Sequence, residues 1–194
     1  MLMRTRLILA SASPRRRQLL LDAGYEFEVD PSEIDEPAPL PGMDASFYAA
    51  DLAWRKAVSV ALRRRAGLVL AADTVGSVDG LILNKPVDRA DAERMIRLQE
   101  GRESDVLTAV CLIRADRREW VGAVETSVVK FRKLEHDERE AFLDSNHWQG
   151  KAGAYGLQDH DPFISIASGS YSNIVGLPME RLEALFREHP GLTS

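Results

Sequence analysis

The stretch "SASPRRR", residues 11 to 17, sets two hydroxyls and three guanidinium groups where an apolar run, Leu7 to Ala10, gives way to a leucine-rich helical pattern. A helix N-terminus presents unpaired N–H donors and a partial positive charge, which makes it a ready anion site. Ser11 and Ser13 add hydroxyl donors, and Arg15, Arg16 and Arg17 add planar forks that match phosphate oxygens. Cations in a first helical turn oppose the helix dipole, so the placement costs stability there. The alternative is that the arginines only solvate an exposed helix start. Neither GxxxxGK[ST] nor GxGxxG occurs, so the usual nucleotide-binding folds are not indicated.

Further candidates are spread along the chain. In "LVLAADTV" (68 to 75) an apolar strand runs into Asp73 and Thr74, and a reversal is expected after them. A carboxylate at the end of a buried strand is placed to hold a divalent cation or to act as a general base; equally, it can satisfy a turn. Lys56 falls on the apolar stripe of a long helix, where a lysine either faces inward or snorkels out. Lys85 in "ILNKPVD" is fixed by the proline behind it. In "GKAGAYGLQ" (150 to 158) three glycines permit close backbone approach, Lys151 offers charge and Gln158 an amide. His136, His147, His160 and His189 show no paired metal spacing, and no Gly-x-Ser-x-Gly elbow is present. Two hydroxyls, several fixed cations, one or two carboxylates and an amide together fit a phosphorylated small molecule bound with a metal ion.

The elements that must position these groups can be read coarsely. Leu7 to Ala10 is a strand, and Ser13 caps a helix from Pro14 to about Ala23, stopped by Gly24. Phe27 to Asp30 is a short strand and Asp44 to Arg65 a long helix. Gly67 to Ala72 is a buried strand. Val75 to Val78 and Leu81 to Leu83 flank Asp79-Gly80, a hairpin turn signal. Asp88 caps a helix ending before Gly101. Two long strands follow, Val106 to Arg114 and Glu119 to Phe131. A helix near Asp137 to Leu143, a strand at Phe163 to Ala167 and a last helix opened by Pro178 complete the series, with "GSYSNIVGLP" (169 to 178) read as a small-residue loop. Interleaved strands and helices with added hairpins predict an α/β fold on a mixed sheet.

Totals narrow the field. The 194 residues, 45% hydrophobic and 28% charged, suit one soluble domain over 1–194. No apolar run approaches a membrane span, and residues 1 to 10 lack a signal-peptide core. Cys111 is the only cysteine, so a disulfide framework is excluded and a cytoplasmic location is expected. A net charge of −5 and a pI near 5.5 argue against nucleic acid as a partner.

Taken in order, "LASASPRR", "SEIDE" (32 to 36), "LAWRKA", "AADTV", "NKP", "GRESDVLTAV", "KAGAYGLQ" and "GSYSNIVGLP" resemble the Maf (septum-formation inhibitor) nucleotide pyrophosphatases across nearly the whole chain. The resemblance implies an elongated α/β fold, related to the inosine triphosphatases, with a cleft between two lobes. It implies metal-dependent hydrolysis, with Mg²⁺ or Mn²⁺, of a nucleoside triphosphate to monophosphate and pyrophosphate, and a homodimer. By position, Asp73 matches the general base, with Glu33 and Lys85 as further catalytic groups. Glu33 joins Asp73 toward the metal. Ser11, Arg15, Arg16 and Lys56 match other polar site groups, and Arg15, Thr74 and Gln158 match base-selecting positions of the dTTP/UTP branch. Three departures stand out: "NHWQG" precedes Lys151, Asp105 replaces a common histidine, and Asn84 replaces the usual glycine. Trp148 in the first departure either packs a loop or stacks in the base pocket. A second reading is a nucleotide-binding regulator of cell division with little turnover.

Overall fold

The computed structural model describes residues 5–157 and 162–194. At its centre is a seven-stranded mixed sheet. Strand β1 (Leu7–Leu9) lies between β2 (Phe27–Val29) and β3 (Leu68–Val78) and is parallel to both. From β3 outward the pairing is antiparallel, through β5 (Glu103–Arg114) and β6 (Glu119–Phe131) to β7 (Ile164–Ser168). The short β4 (Leu81–Leu83) folds back on the end of β3, and the turn residues Asp79 and Gly80 both have positive φ, as a tight hairpin requires.

Side chains alternate across a strand, and β3 serves two cores in this way. Val69, Ala71 and Val75 pack with helix α2 (Ala45–Arg64), whereas Leu68, Leu70 and Ala72 pack with Leu20 of helix α1 (Pro14–Asp22) and with α6 (Met179–Glu188). Burial on both faces explains why β3 reads as an almost unbroken apolar run. A third cluster sits under the far ends of β5 and β6, against α3 (Arg89–Gln99) and α4 (His136–Asp144). The chain closes with α5 (Tyr171–Val175), α6 and α7 (Pro190–Thr193). The small-residue loop expected before Pro178 is therefore partly helical: Ser170 caps it through the amide of Asn173, and Gly176 ends it at φ +119°.

The caps expected at Ser13 and Asp88 are present, and Asp44, expected as the first helical residue, caps α2 instead. Arg16 N–H donates to Ser13 Oγ, Phe47 N–H to Asp44 Oδ1 and Asp91 N–H to Asp88 Oδ1. The reversal expected after Asp73–Thr74 is absent. Instead β3 runs on to Val78, because β5 pairs it residue for residue from Arg114 to Asp105. The opening beside Asp73 arises on the other flank, where β1 ends opposite Leu70. Beyond that point β3 has no parallel neighbour, and groups from both faces of the sheet reach one space.

Cys111 faces the α2 core at 3% exposure, and burial pushes its thiol up to about 12. Trp148 packs into the third cluster and donates Nε1–H to the Leu143 carbonyl at 2.9 Å. It packs a loop and does not line the cavity described next. Among the described residues no helix is long and apolar enough to cross a membrane.

Candidate active site

Where β1 stops, a cavity of about 430 Å³ opens, a size common for small-molecule sites. Among the described residues its charged lining is five cations, Arg15, Arg16, Lys56, Lys85 and Lys151, against two carboxylates, Glu36 and Asp73. Ser11, Ser13 and Thr74 add hydroxyls.

Arg16 is pinned rather than solvated. Its Nε donates to the Gly176 carbonyl at 2.7 Å, and its two terminal nitrogens donate to Ser11 Oγ and Thr74 Oγ1, both at 3.2 Å. Burial disfavours its charge, and Asp73 only partly restores it, so its pKa lies below the usual guanidinium value. An anion in the cavity relieves that cost. Arg15 lines the same space, while Arg17 points to solvent.

Thr74 belongs to a directed chain of hydroxyls. The Asn173 carbonyl accepts from Thr108 Oγ1 at 2.8 Å, which commits the Thr108 proton. The 2.9 Å contact between the two threonines is then a donation from Thr74 to Thr108. Thr74 thus shows Arg16 and the cavity a lone pair.

On the other face, Lys56 is the single charged residue on the buried stripe of α2. At 7% exposure it faces inward, and its Nζ donates to Asp73 Oδ1 at 2.5 Å and reaches Glu36 Oε1 at 2.7 Å. Burial raises the Asp73 pKa from its ordinary value. The charge and hydrogen bond of Lys56, then Arg16, offset part of that rise, and Glu36 adds to it. Burial also opposes ionisation of Glu36, but the hydrogen bond and charge of Lys56, with Lys85 and Arg16, outweigh it and hold Glu36 below its usual value. The arrangement is one carboxylate poised as a base and one held ionised.

Of the residues expected from sequence, Ser11, Ser13, Arg15, Arg16, Lys56, Asp73, Thr74, Lys85 and Lys151 line the cavity together. Glu33 does not: it is exposed, and its charge acts on Arg63 near the end of α2. The second carboxylate on Lys56, beside Asp73, is Glu36, three residues along from Glu33, in an irregular loop where no spacing singles out one acid. Gln158 lies outside the described residues.

Among the described residues no group of three or more His, Cys, Asp or Glu side chains gathers as a metal cluster. Asp73 and Glu36, which share the Lys56 ammonium, nevertheless form an all-oxygen pair already arranged around one cation. That suits Mg²⁺, which commonly takes one or two carboxylates and completes its shell with water and substrate phosphate.

A mixed α/β sheet with a cationic cleft beside a nearly buried carboxylate is the class that fold and site define. The family model described as Maf-like protein matches residues 6–189, and the chain belongs to that family. A relative from Rhodopirellula baltica, named dTTP/UTP pyrophosphatase, is 48% identical over 182 residues, 92% of this chain and 80% of its own. One of the same name from Bdellovibrio bacteriovorus is 40% identical, over 94% of this chain and 98% of its own. A solved nucleoside-triphosphatase / dITP/XTP pyrophosphatase from Mycobacterium abscessus overlays with a TM-score of 0.48 at 17% identity, covering 96% of this chain and 95% of that one.

Proposed function

We propose that this protein is a nucleoside triphosphate pyrophosphatase that takes dTTP and UTP to the monophosphate and pyrophosphate. The observation that carries the reading is Asp73, 6% exposed and bonded to Lys56, facing a cavity whose other charges are mostly cationic. The names of the relatives support the choice of nucleotides.

In this reading Arg15, Arg16, Lys85 and Lys151 hold the phosphate chain. They stabilise the charge that grows on the departing pyrophosphate, where preorganised donors act most strongly. Asp73 takes the proton of a water directed at the α-phosphorus, its raised pKa bringing it closer to a working base at neutral pH. Lys56 orients Asp73 and keeps Glu36 ionised. Asp73 and Glu36 would hold a divalent cation, Mg²⁺ or Mn²⁺, which when bound neutralises phosphate charge. The same reading places the protein in the cytoplasm, with the nucleotide pool, and its assembly as a homodimer.

The test is release of pyrophosphate from dTTP, UTP, CTP, GTP and ITP with Mg²⁺ or Mn²⁺, with an Asp73→Asn protein alongside. Expected is turnover of dTTP and UTP, reduced by about 10²- to 10⁴-fold in the variant, with its melting temperature retained. Binding of nucleotide without turnover in the wild type would replace this reading with that of a nucleotide sensor.

A further inference from the structure

Tyr48 stands on the same helix as Lys56, 4% exposed, and does not line the cavity. Its hydroxyl donates to the Pro37 carbonyl at 2.9 Å. A carbonyl only accepts, so that proton is committed and the hydroxyl oxygen is left to accept. It does so from Asn84 Nδ2 at 3.2 Å. The main-chain carbonyl of Asn84 in turn accepts from Gly153 N–H at 3.1 Å. The Gly153 carbonyl accepts from Gln99 Nε2 of α3 at 2.8 Å. Gly153 itself sits at φ +71°, and a Cβ there would lie 2.9 Å from the Tyr155 ring.

Three of the segments joined in this way each carry one charged group of the cavity. Glu36 precedes Pro37, Lys85 follows Asn84, and Lys151 lies two residues before Gly153. These segments are remote in sequence and share no strand pairing with one another. They meet through one tyrosine and one asparagine, neither of which lines the cavity.

We infer that Tyr48 and Asn84 are positioning residues, a tie that fixes the spacing of Glu36, Lys85 and Lys151 before nucleotide arrives. The inference rests on the proposed function and adds residues to it. Ordering loops is a cost of binding, and a tie made in the free protein removes that cost in advance. A substrate rich in negative charge can draw loosened cationic segments back into place. Loss of the tie therefore weakens binding and leaves bond cleavage in the bound complex nearly unchanged.

The experiment uses Tyr48→Phe, Asn84→Ala and the double variant, with UTP kinetics and hydrogen exchange of residues 150–157. Each single change is expected to raise KM about 5- to 10-fold, as when the competent arrangement falls to a minor fraction. With kcat little changed, the double variant is expected to be no worse than the poorer single one. Exchange at 150–155 is expected to quicken in Tyr48→Phe, although Tyr48 makes no hydrogen bond to that segment. A fall in kcat at constant KM marks mere loss of folded protein and overturns the inference. So does unaltered exchange in Tyr48→Phe, or additive effects in the double variant. A wild type that hydrolyses no nucleotide defeats the proposed function, while the exchange result still decides the tie.

Discussion

Lys56 holds Asp73 at 2.5 Å with both side chains nearly out of solvent, and the pair governs how the site answers to pH. Burial lifts the Asp73 pKa, and the ammonium is the largest influence pulling it back. A general base works only when deprotonated, so activity grows as pH rises through that pKa. Lys56→Met removes the opposing charge and lets the Asp73 pKa climb further. The acidic limb of the kcat/KM profile is therefore expected to move to higher pH in Lys56→Met, as read from initial rates across the acid range. A limb that stays in place would detach Asp73 from the base role. Among single residues, Lys56 could be singled out from sequence because one charge interrupts an otherwise apolar helical stripe. Glu36 could not, since the acids of "SEIDE" lie in an irregular loop and only the fold selects the one that meets Lys56. Tyr48 was equally hidden, and Asn84 stood out only as a departure from the family's usual glycine; the two lie 36 positions apart and meet only after folding.

The elements with local signals were legible. Ser13 and Asp88 cap their helices because a short acceptor before a first turn serves the free N–H groups of that turn alone. Asp79-Gly80 makes its hairpin for a similarly local reason. The course of β3 past Asp73 is a non-local matter, fixed by ten consecutive register positions against β5, which no propensity of "ADTV" reveals. Helix α5 carries no helical signal in the sequence because only five residues are helical, too few to show a period. That short helix matters to the site, since the Asn173 carbonyl commits the Thr108 proton and, through it, the orientation of Thr74. Its approach depends on Gly169, at φ +88°, where a Cβ would fall 2.2 Å from Ser127 Oγ and 2.7 Å from Ser127 Cα. Gly169→Ala is expected to destabilise the protein by about 1–3 kcal/mol, the usual cost of overpacking, and thermal melting measures it. A melting curve that superimposes on the wild type would show that α5 tolerates displacement from β6.

Across the whole molecule, a net charge of −5 coexists with a cleft whose lining, among the described residues, is five cations and two carboxylates. The attraction of a polyanion is concentrated in that cleft against an acidic exterior. Salt screens such long-range attraction within about 8 Å at physiological ionic strength. KM for the nucleotide is therefore expected to rise steeply between low and moderate salt with little change in kcat; a flat KM would deny the cleft its electrostatic role. The placement of Cys111 on β5 has a different consequence. The thiolate is the reactive form of cysteine, and here it is suppressed by burial between α2 and the middle of the sheet. An alkylating reagent can reach that sulfur only when β5 is stripped of its neighbours, which amounts to opening the central core. With a single cysteine in the chain, the rate of iodoacetamide labelling becomes a clock for unfolding, read by mass as one added group per molecule. Nucleotide bound in the cleft should slow that clock in proportion to its occupancy, giving a binding measurement that needs no turnover.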